Sequence, residues 1–154
     1  MATLIQAIET EVANLSTPTR FEFEKLDVAN GTIFDKLTVG DFPVCLLVPF
    51  NPSIRDREHP RSIMEATVEI FILSKMAGAT YDRTAEDIKA LIEPLHALGH
   101  ELINRLDLND VIEDEGITTV DFVDAFEAVG DATLYGPMIT FNIVYSEDLN
   151  VCIS

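Results

Sequence analysis

Residues 64–75, with the sequence MEATVEIFILSK, decide the fold class of this chain of 154 residues. Their side chains fall into two alternating rows, one holding Ala66, Val68, Ile70 and Ile72 and the other Thr67, Glu69, Phe71 and Leu73. This alternation predicts a β-strand, because successive side chains of a strand point to opposite faces of its sheet. The first half is amphipathic, whereas residues 70–73 are apolar in both rows. We therefore expect one end of the strand to be covered more deeply than the other.

Earlier strands are predicted on the N-terminal side of this segment. Residues 20–28 begin by alternating phenylalanine with glutamate, which is typical of a half-buried strand. The dipeptide Asn30-Gly31 favours a tight hairpin turn and leads into a second strand at residues 32–39. Residues 44–50 are apolar at nearly every position, which predicts a third strand that is covered on both faces.

Two more strands are predicted near the C-terminus. Residues 118–127 (TTVDFVDAFE) alternate, although Asp124 interrupts an otherwise apolar row. Residues 137–146 (PMITFNIVYS) alternate throughout. The acidic residues 111–116, which precede both strands, predict a turn.

Two segments have the period of an amphipathic helix. The first covers about 14 residues at the N-terminus, and its apolar stripe consists of Leu4, Ile5, Ile8, Val12 and Leu15. The second begins after Thr84, a good N-terminal capping residue, and its stripe consists of Ile88, Leu91, Ile92, Leu95, Leu98, Leu102 and Leu106. Pro94 removes one backbone hydrogen bond from this helix, so it predicts either a kink near residues 90–93 or a split into two helices.

The order of these elements is helix, four strands, long helix and two strands. Because strands follow one another without regular βαβ alternation, the order predicts an α+β fold. We expect an antiparallel or mixed sheet of about five to six strands, with the N-terminal helix and the long helix packed on one face. The whole of 1–154 is predicted to be one domain, with a flexible loop at about 51–63 and a short C-terminal tail at 147–154.

The net charge excludes several classes of function. The chain has 10 lysines and arginines against 27 aspartates and glutamates, for a net charge of −17, and its isoelectric point is about 4.2. Such a surface repels nucleic acid phosphates and anionic lipid. No segment approaches the roughly 18 apolar residues of a membrane span, and the N-terminus lacks a basic signal region. We therefore expect an intracellular protein that binds neither a membrane nor a specific DNA sequence.

Catalytic and metal-binding patterns are weak. His96 and His100 have the spacing of two metal ligands on a helix, but no glutamate follows the first as a general base. They are interpreted either as part of a solvated helix face or as an adventitious metal site. Cys45 lies in an apolar run and Cys152 lies near the C-terminus, so reduced thiols are expected. With no phosphate-binding loop and no triad spacing, the sequence predicts no enzyme, no cofactor and no metal site.

The order of elements resembles that of the tail-terminator and tail-completion (neck) proteins of tailed bacteriophages. The resemblance covers nearly the whole chain, from the amphipathic N-terminal helix through the strand hairpin and the main helix to closing strands such as PMITFNIVYSEDL (137–149). It implies a homo-oligomeric ring, usually a hexamer, that caps the tail tube and meets the head connector. It also implies a location in the tail or neck of the virion, after assembly in the bacterial cytoplasm. It brings no catalytic residues.

In such a ring, the negative charge of the chain would keep DNA from adhering. DNA that passes through a channel must not adhere to it, and a wall of carboxylates prevents phosphate contacts. The candidate lining residues are Glu113, Asp114, Glu115, Asp121, Asp124 and Glu127. The alternative is that these acids form a solvated surface that keeps the protein soluble.

Three of the ten basic residues, Arg55, Arg57 and Arg61, cluster in the predicted loop. The loop is interpreted either as solvated surface or as an arm that reaches an acidic neighbouring subunit. A competing function is that of an acidic cytosolic adaptor or inhibitor that binds a basic partner. For a third class, a small enzyme, the sequence offers no residues.

Overall fold

Two helices and six strands make up the part of the chain that the computed structural model describes, namely residues 2–23, 43–58, 61–77, 84–109, 112–129 and 132–148. In chain order the elements are α1 (Ala2–Ala13), β1 (Arg20–Phe23), β2 (Val44–Leu47), β3 (Ser53–Glu58), β4 (Arg61–Ala77), α2 (Ala85–Asp107), β5 (Ile112–Val129) and β6 (Ala132–Asp148). The predicted α+β class is confirmed. The turn predicted at Asn30-Gly31 and the strand predicted at residues 32–39 lie outside the described residues.

The strands form one mixed sheet in the order β1-β2-β4-β6-β5, with β3 also paired to β4. The β1–β2 pair is parallel, and all the others are antiparallel. The long strand β4, which contains the segment quoted first, lies at the centre. One edge of β4 pairs with β6 along its length, and the other pairs first with β3 and then with β2.

The helices pack on one face of this sheet, as predicted. The apolar stripe of α1 and the buried face of α2 meet one row of β4 and one row of β6 in a single core. Its strand residues are Cys45, Leu47, Met64, Ala66, Val68, Ile70, Ile72, Met76, Tyr135, Ile139, Phe141, Ile143 and Tyr145. The alternation read from the sequence therefore selects the row that the helices cover.

The opposite face has a smaller apolar cluster at one end of the sheet. Val44 and Leu46 of β2 pack there with Leu73 of β4 and Leu134 of β6, and Phe71 lies against them half-buried. This arrangement confirms the expectation that one end of the central strand is covered more deeply than the other. The first half of β4 has its core row on the helix side and exposed polar residues on the other.

Helix α2 begins as the sequence predicts. The Thr84 hydroxyl accepts a hydrogen bond from the Asp87 N–H at 3.2 Å, and Glu86 and Asp87 lie in the first turn, near the positive end of the helix dipole. The helix continues through Pro94 to Asp107, so it is one helix and not two. Among the helices that the structure describes, none combines the length and apolar character that crossing a membrane requires.

The predicted loop at 51–63 is wrong for most of its length. Ser53–Glu58 form strand β3, which pairs antiparallel with the first residues of β4. The segment lacks an apolar period because its described side chains are exposed. Backbone hydrogen bonds to the long neighbouring strand hold it extended, and this long-range pairing overrides the local composition.

The predicted acidic turn at 111–116 and the tail at 147–154 also need correction. β5 begins at Ile112, so most of the acidic stretch belongs to this strand. The pairing of β5 with β6 shifts between Ile112 and Ile117, where Gly116 has a φ of 50°, a value that glycine adopts without strain. At the other end, β6 extends to Asp148, and residues 149–154 lie outside the described part of the chain.

Candidate assembly interface

The outer edge of β5 is the most unusual surface of the described structure. Among the described strands, β5 pairs with β6 alone, so its other edge presents backbone N–H and C=O groups to the outside. Three apolar side chains of this strand are substantially exposed, Val120 at 37 %, Val123 at 55 % and Phe126 at 43 %. An open strand edge with exposed apolar side chains is a template for pairing with another chain.

Phe122 fixes β5 beneath α2. Its ring stacks on His100 with the ring centroids 4.5 Å apart, and it lies 5.5 Å from the ring of His96. Gly99 of α2 permits this approach, because a Cβ atom there would lie 2.9 Å from the Phe122 ring and 2.7 Å from Cδ1 of Ile139. The helix therefore lies directly on β5 and β6 at the one turn that lacks a side chain.

The position of Asp124 in the fold explains why an acidic residue interrupts the apolar row. Its carboxylate points towards α2, and its Oδ1 lies 2.5 Å from Nε2 of His96. His96 and His100 thus contact β5, where His96 is partly covered and His100 remains exposed. Among the described residues, no three histidine, cysteine, aspartate or glutamate side chains are grouped to hold a metal ion.

A cleft of about 450 Å³ opens between the first turns of α2 and the last part of β5. Ile88, Ile92 and Phe126 contribute its apolar surface. Its charged and polar lining comes from Lys89, Glu93, His96 and Asp124. Among the described residues that line the cleft, none is a serine, threonine or cysteine, so these residues place no hydroxyl or thiol beside the His96–Asp124 pair. The cleft offers a surface for contact, with an apolar centre and a charged rim.

All six candidate acidic residues lie on β5, but they do not share one face. Asp121 pairs in register with Thr140 and is exposed, and Asp124, three residues later, falls in the row that faces α2. Glu113, Asp114 and Glu115 lie where the register shifts between Ile112 and Ile117, and Glu127 lies opposite Leu134. Asp121 and Asp124 therefore cannot line the same wall, and Asp124 already contacts His96.

The three candidate arginines lie on the β3–β4 hairpin and are also divided between faces. A bulge between Ile54 and Asp56 shifts the register at Arg55, which lines a second cleft of about 530 Å³ on the face away from the helices. Arg57 pairs in register with Ser62, which lies in the β4 row that faces the helices. Arg61 opens β4 and pairs with Glu58 and Asp148. Arg55 and Arg57 therefore lie on a paired strand that also holds Asp56 and Glu58, and Arg61 lies on the central strand, so the three arginines do not belong to one loop.

The second cleft is polar. Glu65 and Thr67 of β4 and Asn142 of β6 line it beside Arg55, and the Thr67 hydroxyl donates a hydrogen bond to Oδ1 of Asn142 at 2.7 Å. Thr118 of β5 and Ser53 of β3 form opposite sides of its rim. The cleft therefore spans the sheet between the two outer strands that carry the candidate residues.

The sequence analysis did not identify Val120, Val123 and Phe126 as interface candidates. The feature of the sequence that could have indicated them is Val123, an apolar residue in the row that otherwise holds Asp121 and Ala125. Apolar residues in both rows of an acidic strand indicate that the strand meets another surface. The exposure itself depends on the position of β5 at the edge of the sheet.

Comparison of the sequence with protein families and with curated proteins identifies no relative. A scan against models of protein families finds no match, and a search of curated proteins finds no similar sequence. The function is therefore inferred from the residues and geometry of the chain itself.

Proposed function

We propose that this chain is a structural subunit that assembles with copies of itself into a ring in the tail or neck of a tailed bacteriophage. The ring, with six subunits favoured, caps the tail tube and connects it to the head. The single observation that carries the proposal is the open outer edge of β5, together with the exposed Val120, Val123 and Phe126.

A long, open strand edge favours association. β5 has 18 residues and contains neither lysine nor proline, two of the residues that commonly protect an edge strand from pairing. Contact with a second chain would bury the apolar side chains of β5 and satisfy its outward backbone groups. Closure of such contacts into a ring leaves no edge exposed, which supports a closed assembly over an open fibre.

The charge supports a ring around DNA. A net charge of −17 per chain gives about −100 for a ring of six, and such a surface repels phosphates. DNA would then pass through the ring without adhering. Salt, cations or basic partner surfaces must screen the same charge in the assembly.

The mass of the assembly and its shape test the proposal. Light scattering should give a multiple of the 17.1 kDa chain mass. Negative-stain images should show a ring with a central hole of roughly 20 Å or more, the width needed for duplex DNA. A monomer at every concentration would overturn the proposal. An oligomer without a hole would also overturn it, and binding to a basic partner would then favour the adaptor function.

A substitution at the exposed edge sharpens this test. Val123→Lys places a charge at an apolar position of β5 that is 55 % exposed, and we expect the assembled fraction to fall at least tenfold at a fixed concentration. Ala97→Lys, at an exposed position of α2, is the matched control and should leave the mass unchanged. Equal masses for both variants would show that β5 is not the contact.

A further inference from the structure

The three exposed apolar residues of β5 are evenly spaced along its open edge. Val120 precedes Val123 by three residues, and Phe126 follows it by three. Val120 and Phe126 pair in register with Phe141 and Tyr135, which belong to the core row beneath the helices. Because side chains alternate along a strand, Val123 lies on the opposite face of the sheet. The exposed apolar positions are therefore symmetric about Val123, as a contact between two identical strands requires.

A twofold rotation axis perpendicular to the sheet and beside Val123 would place two copies of β5 side by side in antiparallel orientation. This rotation keeps each face of the sheet on its own side, so that paired residues share a face. Val120 of each chain then falls opposite Phe126 of the other, and the two Val123 residues face each other. An aromatic residue directly opposite a β-branched one is a favourable cross-strand pair. One contact thus covers all three exposed apolar positions in both chains.

The same register keeps the acidic positions of the two strands from facing each other. Residues of the two copies lie opposite one another when they are equally far from Val123 on opposite sides. The acidic positions thus fall opposite uncharged ones, in the pairs Asp121 with Ala125, Asp124 with Phe122 and Glu127 with Thr119. Like charges directly opposite each other destabilise a sheet, so this register avoids the main cost of pairing an acidic strand with itself.

The neighbouring registers do not have these properties. Because paired residues share a face, the next registers shift one strand by two residues. A shift in one direction places Asp124 opposite Asp124 of the other chain, where the carboxylates repel. A shift in the other direction places Val123 opposite Asp121, so that an apolar side chain meets a carboxylate. The axis beside Val123 is therefore favoured over both.

The register also uses the regular part of β5. The pairing of β5 with β6 shifts between Ile112 and Thr119 and then runs without interruption to Val129, where β5 ends. An axis beside Val123 aligns residues 117–129 of one chain with residues 117–129 of the other. The new pairing therefore reaches the end of β5 and stops before Gly116, where the positive φ marks the irregular part of the strand.

We infer that two copies of this chain associate through their β5 strands as an antiparallel pair, with a twofold axis beside Val123. This inference rests on the proposed self-assembly and assigns the symmetry and register of its β5 contact. The contact is isologous, because both chains contribute the same residues. Three such pairs, joined by a second contact, would make the favoured ring of six.

Engineered cysteines test the twofold contact. Cα atoms of directly opposite residues in an antiparallel pair are about 4.5–5.5 Å apart, a distance that a disulfide bond spans. Val123→Cys should therefore link to a second copy of itself in oxidised glutathione, with at least ten times the linked fraction of the control Ala97→Cys, at an exposed position of α2. Non-reducing electrophoresis measures the linked fraction. All variants also carry Cys152→Ser, which leaves the buried Cys45 as the other cysteine.

A mixture of two variants tests the register. In the inferred pair, the Val120 positions of the two chains are offset by six residues, roughly 20 Å, which is too far for a disulfide bond. The same offset separates the two Phe126 positions. Val120→Cys and Phe126→Cys should each stay unlinked alone, whereas their equimolar mixture should form a linked heterodimer, as mass spectrometry would identify. Circular dichroism shows whether each variant is folded.

The outcomes separate this contact from the ring itself. If the wild type is an oligomer and folded Val123→Cys links no more than the control, the twofold contact is overturned and the ring proposal stands. Linking of Val120→Cys with itself, or an unlinked mixture, would overturn the register. A wild-type dimer with the expected links would support the contact and overturn the ring. A wild-type monomer at every concentration would overturn both proposals.

Hydrogen exchange of the wild type tests the contact without any variant. The pairing would bond the outward backbone N–H groups of residues 117–129, so their exchange should be at least tenfold slower in the associated protein than in the dissociated protein. Equal exchange rates in the two samples would overturn the contact, even if a cysteine variant failed to fold.

Discussion

Strands β4 and β5 are nearly equal in length, with 17 and 18 residues, and they flank the same strand, β6. They differ in what lies on their other edge. β4 pairs there with β3 and β2, whereas β5 meets no other described strand. The core row of β4 is buried beneath the helices, while three apolar side chains of β5 remain one-third to one-half exposed.

The difference shows that position in the sheet determines whether an apolar side chain stabilises the single chain or is available to stabilise an assembly. Ile70 of β4 is fully buried and contributes to the stability of the single chain. Val123 of β5 is half exposed and contributes little to the chain by itself. It can contribute when a second surface covers it. The central strand therefore stabilises the fold, and the edge strand is available for assembly.

The largest effect is expected at the junction of β4 with β6. Gly136 has a φ of 150°, and a Cβ atom there would lie 1.9 Å from the carbonyl oxygen of Ile72. Gly136→Ala must both strain the backbone and push the two strands apart, so we expect a loss of roughly 4 kcal/mol in the free energy of unfolding. Urea denaturation measures it. Thr140→Ala, on the same strand, should cost about 1 kcal/mol or less. Similar losses for both variants would contradict the close approach.

A matched pair of truncations tests the comparison directly. Ile70→Ala removes buried methyl and methylene groups from β4 and should lower the free energy of unfolding by roughly 3 kcal/mol. Val123→Ala on β5 should change it by less than about 0.5 kcal/mol in the dissociated chain. Denaturation at low concentration measures both. If Val123→Ala were as costly as Ile70→Ala, β5 would belong to the core of the single chain.

Much of the fold could be predicted from periodicity. β4, β6 and α2 bury the rows that their alternation or helical stripe indicated, because a buried face requires apolar residues at a fixed spacing. β3 could not be predicted in this way. Its described side chains are exposed and carry no apolar period, and it is extended because of pairing with residues of β4. Local sequence does not contain that information.

The candidate site was predictable in composition but not in arrangement. The sequence places six acids between Glu113 and Glu127, and all six lie on β5. That Asp124 contacts His96 depends on how α2 crosses β5, and this packing depends in turn on Gly99. The exposure of Val123 depends on β5 being the last described strand of its side. Both facts arise from long-range packing.

A gain in stability is expected at Tyr145 of β6, which lies between Met64 of β4 and Ile112 of β5. The side chain is fully buried, and its hydroxyl has no hydrogen-bond partner among the residues that the structure describes. Burial raises the pKa of Tyr145, and the nearby charge of Glu147 raises it further. Tyr145→Phe removes a buried unpaired polar group, so the free energy of unfolding should rise by about 1 kcal/mol. A loss of stability would mean that the hydroxyl is bonded where the two strands meet β6.

The smallest effect concerns the helical layer, which covers the core row of β4 and leaves the outer edge of β5 open. Ser16, just after α1, donates its backbone N–H to Oε2 of Glu101 on α2 at 2.9 Å. This hydrogen bond, more than the charge of Arg105, lowers the pKa of the Glu101 carboxyl. The contact therefore stabilises the chain at pH values above the pKa of an unfolded glutamate, about 4.3.

As the pH falls through the lowered pKa of folded Glu101, the carboxylate is protonated and this contribution is lost. Glu101→Gln removes the titrating group, so its melting temperature should lie slightly below that of the wild type at pH 6 and approach it at pH 3. Glu93→Gln, at an exposed position of the same helix, changes the same charge without a bond to α1. If the difference in melting temperature between Glu101→Gln and the wild type stayed constant with pH, the effect of the substitution would come from packing and not from the charge.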